Sequence, residues 1–386
     1  MIDPESLSGQ MLDRVTGSGE LGPAWLEAFA AVARHRFIPD MIWVTDQDAL
    51  VPLHRREDPQ EWMRRAYAPA AVITQVDDGH PTGPGERGRY KTSSASQPEV
   101  VAGMLAVLDA EPGMRVLEIG TGTGYNAALL AHRLGAQNII SVEIDPDLAE
   151  HARRVLSVTG YPLTVITGNG AQGYPPGAPY DRIISTAAVR EVPYPWVTQT
   201  RPGGKILTPW GTPYHNGALV SFTVNGDGIA QGRIVGRLAF MRLRDQRFRA
   251  TLDEEHCQES TARCSHTTVT PYDVASEYDA SLAIGMRVPN CTTIYVPAED
   301  ASDHIARLWF LDPTTESWAN LVHRPDAGDY PVHQSGPRNL WEEIDTAYHW
   351  WQQAGRPEAS RWRITITPEG QQITLTQSNI PAHPTA

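Results

Sequence analysis

The chain has 386 residues, 41% of them hydrophobic, which is enough for a full core and for two domains. Its 32 basic and 45 acidic residues leave a net charge of -13 with no long Lys/Arg run, so a nucleic-acid partner is not expected. Three cysteines make no disulfide framework, and the opening MIDPESLSG has no signal-peptide character. No apolar run is long enough to span a membrane, so a cytoplasmic protein is expected, with its oligomeric state left open.

The first hundred residues read as short helices around a loop. AWLEAFAAV (24–32) has a helical apolar pattern, and the chain breaks at Pro39. DDGHPTGPGERG (77–88) is rich in turn formers and reads as a loop. From Arg115 strand and helix alternate. VLEI (116–119) is a short buried strand, and YNAALLAHRL (125–134) is a helix ended by Gly135. NIISVEI and PDLAEHARRVL repeat the pair, and LTVIT, DRIIST and KILTP supply further strands. This alternation predicts an α/β fold with a mostly parallel, doubly wound sheet.

ALVSFTV and QGRIVGRL flank NGDG (225–228), a hairpin signal. The expected organisation is a catalytic domain over 1–245, a polar linker over 246–276 and a smaller α+β accessory domain over 277–386. In the last domain Asn339 and Glu342 resemble a capping box. Leu340, Ile344, Ala347, Tyr348 and Trp351 then share one helical face, and Gly355 ends the helix. RWRITI and QQITLT around Pro368 read as a closing hairpin, and the tail after Ile380 as frayed.

The strongest chemical signal is VLEIGTGTGY (116–125), a strand that enters a Gly-rich turn and opens a helix. Gly120, Gly122 and Gly124 let the backbone turn sharply and approach a ligand. The spacing is GxGxG rather than the GxGxxG of dinucleotide sites, and Glu118 precedes the first glycine. A carboxylate there suits the amino-acid end of S-adenosylmethionine, whose own carboxylate backbone N–H groups of the turn can hold. Glu143 ends the next strand, where an acid accepts hydrogen bonds from both ribose hydroxyls. Asn169 and Gly170 follow the third strand, beside the adenine position. Thr121, Tyr125 and Ile144 complete the expected cofactor set, with S-adenosylhomocysteine as product. The plainer alternative is that the glycines only allow tight packing of strand on helix.

On these and further blocks the chain resembles the protein-L-isoaspartate O-methyltransferase family. The blocks are SQPEVVAGML, VLEIGTGTGY, SVEID, GNGAQGYPPGAPYDRIISTAAVREVP and QTRPGGKILTP. RHRFIPD and RAYAP lie upstream, and LAFMRL closes the catalytic domain. The resemblance spans roughly Leu12 to Leu243 and implies a Rossmann-like class I methyltransferase sheet. It also implies methylation of an isoaspartyl α-carboxylate, with Ser96 at the active-site hydroxyl. Ala187, Ala188 and Val189 would form the wall beside the transferred methyl. A carboxylate is already ionised at neutral pH, so it needs alignment and desolvation rather than a general base. The competing role for Ser96 is a helix cap before Pro98. A methyl ester can expel methanol, so the next backbone amide can close a succinimide without further catalysis.

Three features depart from that family: Asn169-Gly170 in place of Asp-Gly, the Gly/Pro insertion 77–88, and about 140 residues after the catalytic domain. The appendix resembles actinobacterial members of ribosomal-peptide (lanthipeptide or graspetide) biosynthesis. It therefore favours esterification of an aspartate in a cyclised precursor peptide, which leaves an aspartimide. General isoaspartate repair is the alternative, followed by a small-molecule carboxyl methyltransferase and by a non-catalytic module with the same fold. Trp318, Trp341, Trp350 and Trp351 either form a peptide platform or, more simply, fill a second core. Arg338 reads as a surface or interdomain residue. His256-Cys257 with Cys264-Ser265-His266 matches no common zinc spacing, so no metal is expected.

Overall fold

The computed structural model describes residues 3–46, 49–81, 87–248, 250, 257–297, 305–324 and 327–376. The tail after Ile380, His256, and residues 82–86 of the Gly/Pro loop lie outside them. Helices α1 (Pro4–Gly17) and α2 (Leu26–Ala31) come first, followed by strands β1 (Met41–Asp46) and β2 (Ala49–His54). Helix α3 (Pro59–Ala66) and strands β3 (Val72–Val76) and β4 (Lys91–Ala95) complete the N-terminal region. The four strands form an antiparallel sheet in the order β2-β1-β3-β4, where the sequence suggested only helices and loop. These strands are short and only partly alternating, so local pattern did not separate them from loop.

Helix α4 (Pro98–Leu108) leads into the central sheet. There β5 (Val116–Ile119), α5 (Tyr125–Leu134), β6 (Ile139–Glu143), α6 (Pro146–Val158), β7 (Thr164–Thr167) and β8 (Tyr180–Ser185) alternate as expected. Helix α7 (Tyr194–Gln199) and strands β9 (Thr200–Gly211), β10 (Asn216–Val224) and β11 (Ala230–Arg237) follow. Asp3, Asp58 and Asp145 cap α1, α3 and α6, each directly before a proline at the first helical position. Asn225 Oδ1 accepts from the amides of Asp227 and Ile229, which fixes the NGDG turn between β10 and β11.

The C-terminal third holds strand β12 (Arg263–Thr267), helix α8 (Tyr278–Arg287) and strands β13 (Thr292–Val296), β14 (Ala306–Asp312), β15 (Ser317–His323) and β16 (Tyr330–Ser335). Helix α9 (Leu340–Gln353) and the hairpin β17 (Trp362–Thr367) and β18 (Gly370–Leu375) close the chain. Two expectations change here. The segment read as linker contains β12, which pairs antiparallel with β16 at the edge of a five-stranded sheet, β12-β16-β15-β14-β13. The closing hairpin leaves the accessory unit: β17 pairs with β11, so the central sheet becomes nine-stranded, β18-β17-β11-β10-β9-β8-β5-β6-β7. The alternating burial of β17 suits either sheet, and only the free edge of β11 decided between them.

Strands β5 to β9 run parallel, and the remaining pairings of this sheet are antiparallel. The five residues expected on one face of α9 are all buried, and each contributes roughly 1.5–3 kcal/mol if large and apolar. The capping box does not form. Asn339 makes no side-chain cap and instead accepts from Arg263. Trp341 and Trp351 are buried with Trp350 packed against the same cluster, and Trp318 is buried in a separate small one, so the tryptophans fill core. Arg338 bonds Asp312, Glu343 and the Pro289 carbonyl. One apolar core runs from the parallel strands through Tyr214 to Phe310, whose rings stack at 6.1 Å, and on to α9.

Candidate active site

A cleft lies at the carboxyl ends of β5, β6 and β8, where the strand order reverses direction, the usual place for a ligand in such sheets. It holds about 1110 Å³ of empty space, part of it open to solvent. Ser96, Gly120, Thr121, Gly122, Tyr125, Glu143, Ile144, Asn169 and Gly170 all line it, as does Ala187. Gly124 sits just behind, opening α5 with φ +85°. Glu118, Ala188 and Val189 do not face it.

The glycine turn is shaped by positive φ. Gly120 has φ +91°, and a Cβ there would come within 2.7 Å of Thr186 Oγ1. All three glycine amides are already used. Gly120 N donates to the Val142 carbonyl, Gly124 N to that of Thr121, and Gly122 N to Glu143 Oε2 at 2.9 Å. Those three N–H groups are therefore not the ones left to hold a ligand carboxylate. Instead those of Gly120 and Gly122 lock the turn against β6, and that of Gly124 closes the turn on Thr121.

Glu118 is the main displacement from expectation. Its side chain is fully buried, receiving bonds from Asn126 Nδ2 at 2.7 Å and from Ser141 Oγ. Ser141 in turn lies 2.6 Å from Thr121 Oγ1. Burial pushes the Glu118 pKa up to about 7, against the pull of both hydrogen bonds. Glu118 thus acts through Asn126, which does line the cleft, and through Thr121. The inward-facing residues of a short strand are decided by its pleat, and β5 is buried on both faces.

Glu143 is the acid that faces the cleft. Its two oxygens accept from Gly122 N and Asp145 N, and burial raises its pKa despite them. Asn169 spends Oδ1 on the Ala171 amide and Nδ2 on Asp245. Gly170 permits close approach, since a Cβ would lie 2.5 Å from Ile119 Cγ2. Tyr125 packs under Arg34, whose guanidinium carbon is 5.1 Å from the ring centre. Ser96 stands between β4 and α4. The helix cap position belongs to Gln97, which makes no side-chain cap bond, so Ser96 is not the cap.

One side of the cleft is spanned by a clasp that the sequence did not reveal. Asp78 accepts from Arg247 at 2.7 and 2.9 Å and lies 3.3 Å from Arg244. Arg244 also donates to Asp145 at 2.6 Å, and Gln75 joins the same carboxylate at 3.0 Å. Burial works against the charge on Asp145, yet Gln75 and Arg244 hold its pKa below the usual value. The signals were present as an acidic loop and an Arg-rich stretch after LAFMRL, 169 positions apart, with nothing in the sequence to pair them. Cys257 packs against Trp309, Leu311 and Trp318, whereas Cys264 is exposed on β12.

The model of the protein-L-isoaspartate(D-aspartate) O-methyltransferase (PCMT) family matches residues 60–247. Protein-L-isoaspartate O-methyltransferase of Methanopyrus kandleri is 37% identical over 220 residues, covering 56% of this chain and 81% of that protein. That of Pyrococcus horikoshii is 42% identical over 149 residues, 38% of this chain and 67% of that protein. The chain belongs to the protein-L-isoaspartate O-methyltransferase family. It is an S-adenosylmethionine-dependent methyltransferase. A solved structure titled protein-L-isoaspartate O-methyltransferase shares the fold, with TM-score 0.54 and 18% identity over 96% of this chain and all of that one. The overlay therefore extends into the last third of this chain. No helix among the described residues is long and apolar enough to cross a membrane.

The cleft fits that cofactor. It offers an acid at the end of β6 for a diol, the exposed apolar Ile144 and the side-chain-free backbone of Gly170 in its wall for a flat base, and a turn that any Cβ at Gly120 would crowd.

Proposed function

We propose that this protein esterifies the α-carboxylate of isoaspartyl residues in peptides and proteins, the first step of isoaspartate repair. The observation that carries this is the shared cleft: Ser96 and the glycine turn line one cavity, so an acceptor and a methyl donor can meet there. When bound, S-adenosylmethionine supplies an electrophilic methyl on sulfur. With that donor bound, a carboxylate oxygen lone pair would form the new C–O bond as the C–S bond breaks and its electron pair goes to sulfur. No proton moves, which agrees with a site needing no general base at the acceptor.

The chain's own residues then have distinct tasks. Glu143 would accept from the ribose hydroxyls, while Ile144 and Gly170 would flank the adenine. Glu118 holds Asn126 and Thr121 in place at the amino-acid end. Ser96 would orient one carboxylate oxygen, and Ala187 would border the methyl. The clasp of Asp78, Arg244 and Arg247 excludes water from the mouth, which strengthens electrostatic interactions inside. The ester later loses methanol to a succinimide without help from the protein.

The peptide-tailoring role draws no support from the two relatives described above, both of which are named protein-L-isoaspartate O-methyltransferase. Nor does the appendix single it out, because the overlay with a structure of that same name takes in most of this chain. We take 1–245 as the catalytic unit and the remainder, apart from the β17–β18 hairpin, as an accessory unit that braces it. The test is intact-mass spectrometry of isoaspartyl and aspartyl versions of one peptide, plus a cyclised peptide, incubated with enzyme and cofactor. A methylene gain on the isoaspartyl peptide, followed by methanol loss, is expected. Methylation of the cyclised aspartyl peptide alone would transfer the case to tailoring.

A further inference from the structure

Among the described residues that line the cleft, one cation is not used by the clasp. Arg242 lines the same cavity as Ser96 and Ala187. Its backbone sits beside Ala188, whose N–H donates to the Met241 carbonyl while Leu243 N donates back to the Ala188 carbonyl. This places Arg242 on the acceptor side, next to the β8 end, rather than on the ribose side with Arg244 and Arg247.

Its partners are unusual for a charged group. Nη1 donates to the Gly211 carbonyl and Nη2 to the Thr212 carbonyl. Among the described residues no carboxylate forms an ion pair with it, although Arg244 and Arg247 each have one. Burial, and then the charge of nearby Arg190, bring its pKa down to about 10, so it stays protonated at neutral pH. A largely buried cation held only by neutral carbonyls is electrostatically undercompensated, and an anion entering the cleft would relieve that.

We infer that Arg242 is the residue that recognises the ionised acceptor carboxylate, taking one oxygen as ionic partner and leaving the other to attack. This rests on the esterification reading above. A guanidinium presents several N–H donors in a planar fork, so two can stay on the carbonyls while another meets the substrate. The segment that holds Arg242 is itself braced by the C-terminal unit. A Cβ at Gly285 of α8 would lie 2.3 Å from Thr212 Oγ1, and His215 Nδ1 is 2.8 Å from Ser281 Oγ. Tyr214 OH donates to the Val274 carbonyl at 3.0 Å. The appended unit therefore sets the position of the recognition arginine without touching substrate.

The chemistry predicts a particular kinetic signature. The carboxylate is fully charged in the bound ground state and loses charge as the ester forms. A bond to that charge stabilises the ground state at least as much as the transition state. Steady-state methylation of an isoaspartyl peptide is compared for the wild type, Arg242→Gln and Arg242→Lys, with cofactor affinity measured by calorimetry. Arg242→Gln should raise peptide KM about tenfold to a hundredfold, leave kcat equal or higher, and change cofactor Kd less than about twofold. Arg242→Lys should recover part of the KM.

An unchanged peptide KM, or a cofactor Kd that weakens in step with it, overturns the assignment. Should the variants not fold, the wild type decides alone: the isoaspartyl peptide should bind much more tightly than its side-chain-matched isoasparagine amide. Equal affinity for the two overturns the assignment. A wild type that methylates no isoaspartyl peptide defeats the functional reading itself, whereas an active wild type with an indifferent Arg242→Gln defeats only Arg242.

Discussion

The two sides of the cleft are built in different ways. Most of the cofactor side is made by one stretch, Gly120 to Ile144, joined by Gly170 from beyond β7, and backbone conformation sets its shape: positive φ at three glycines, with the Gly120 and Gly122 amides locked to β6. The acceptor side and the mouth are assembled from Asp78, Ser96, Ala187, Arg242, Arg244 and Arg247, which come from separate segments. The cofactor side should therefore be brittle, since an L residue at these positive φ angles is strained even when the neighbouring side chain moves aside. The mouth should be graded, since several ion pairs share its closure.

Four changes break or sharpen that contrast. The largest effect is expected from Gly120→Val. An L side chain at φ +91° facing Thr186 Oγ1 at 2.7 Å should abolish calorimetric cofactor binding and cost about 2–4 kcal/mol of stability in chemical denaturation. Near-normal cofactor affinity in that variant would show that the backbone does not set the site. Glu143→Ala comes next. Loss of a charged acceptor should weaken cofactor Kd about tenfold to a hundredfold, with kcat at saturating cofactor within a few-fold of wild type.

Glu118 provides a pH test. Its native pKa is raised to about 7, whereas an unfolded Glu titrates near 4.3. Between those values the unfolded chain ionises while the native carboxyl keeps its proton. The stabilising contribution is thus fully present below the unfolded pKa and is lost as pH rises through about 7, at no more than about 1.4 kcal/mol per pH unit. Melting curves from pH 4 to 8 should show this decline in the wild type, and Glu118→Gln should flatten it by about a few degrees. Identical pH dependence in both proteins would mean that the buried acid is not titrating there. The smallest effect belongs to the clasp. Asp78→Asn should loosen cofactor affinity only about two- to fivefold, and more at low than at high salt. A hundredfold loss would show that the mouth is as brittle as the turn.

These contrasts follow what local chemistry can and cannot specify. VLEIGTGTGY announced its strand, turn and helix because glycine spacing and apolar runs act over a few neighbours, and those elements form where expected. Within them, however, the sequence placed Glu118 at the cofactor, and the structure buries it under Asn126 and Ser141, because which way a residue of a short strand faces depends on the layers packed on it. The antiparallel N-terminal sheet, β12 inside the presumed linker, and the capture of the β17–β18 hairpin by β11 were also invisible. Each depends on which free edge lies near in space, and hydrogen-bonding edges are alike in any sequence.

By itself, then, the sequence determined the alternating α/β core, the cofactor turn, the acid at the end of β6 and the family resemblance, all of which rest on contiguous residues. Only the tertiary structure decided the clasp across the mouth, the isolation of Arg242 among carbonyls, and the bracing of its segment by the last third. Charge pairing and desolvation are properties of distance in space, and residues 169 positions apart along the chain carry no local mark of meeting.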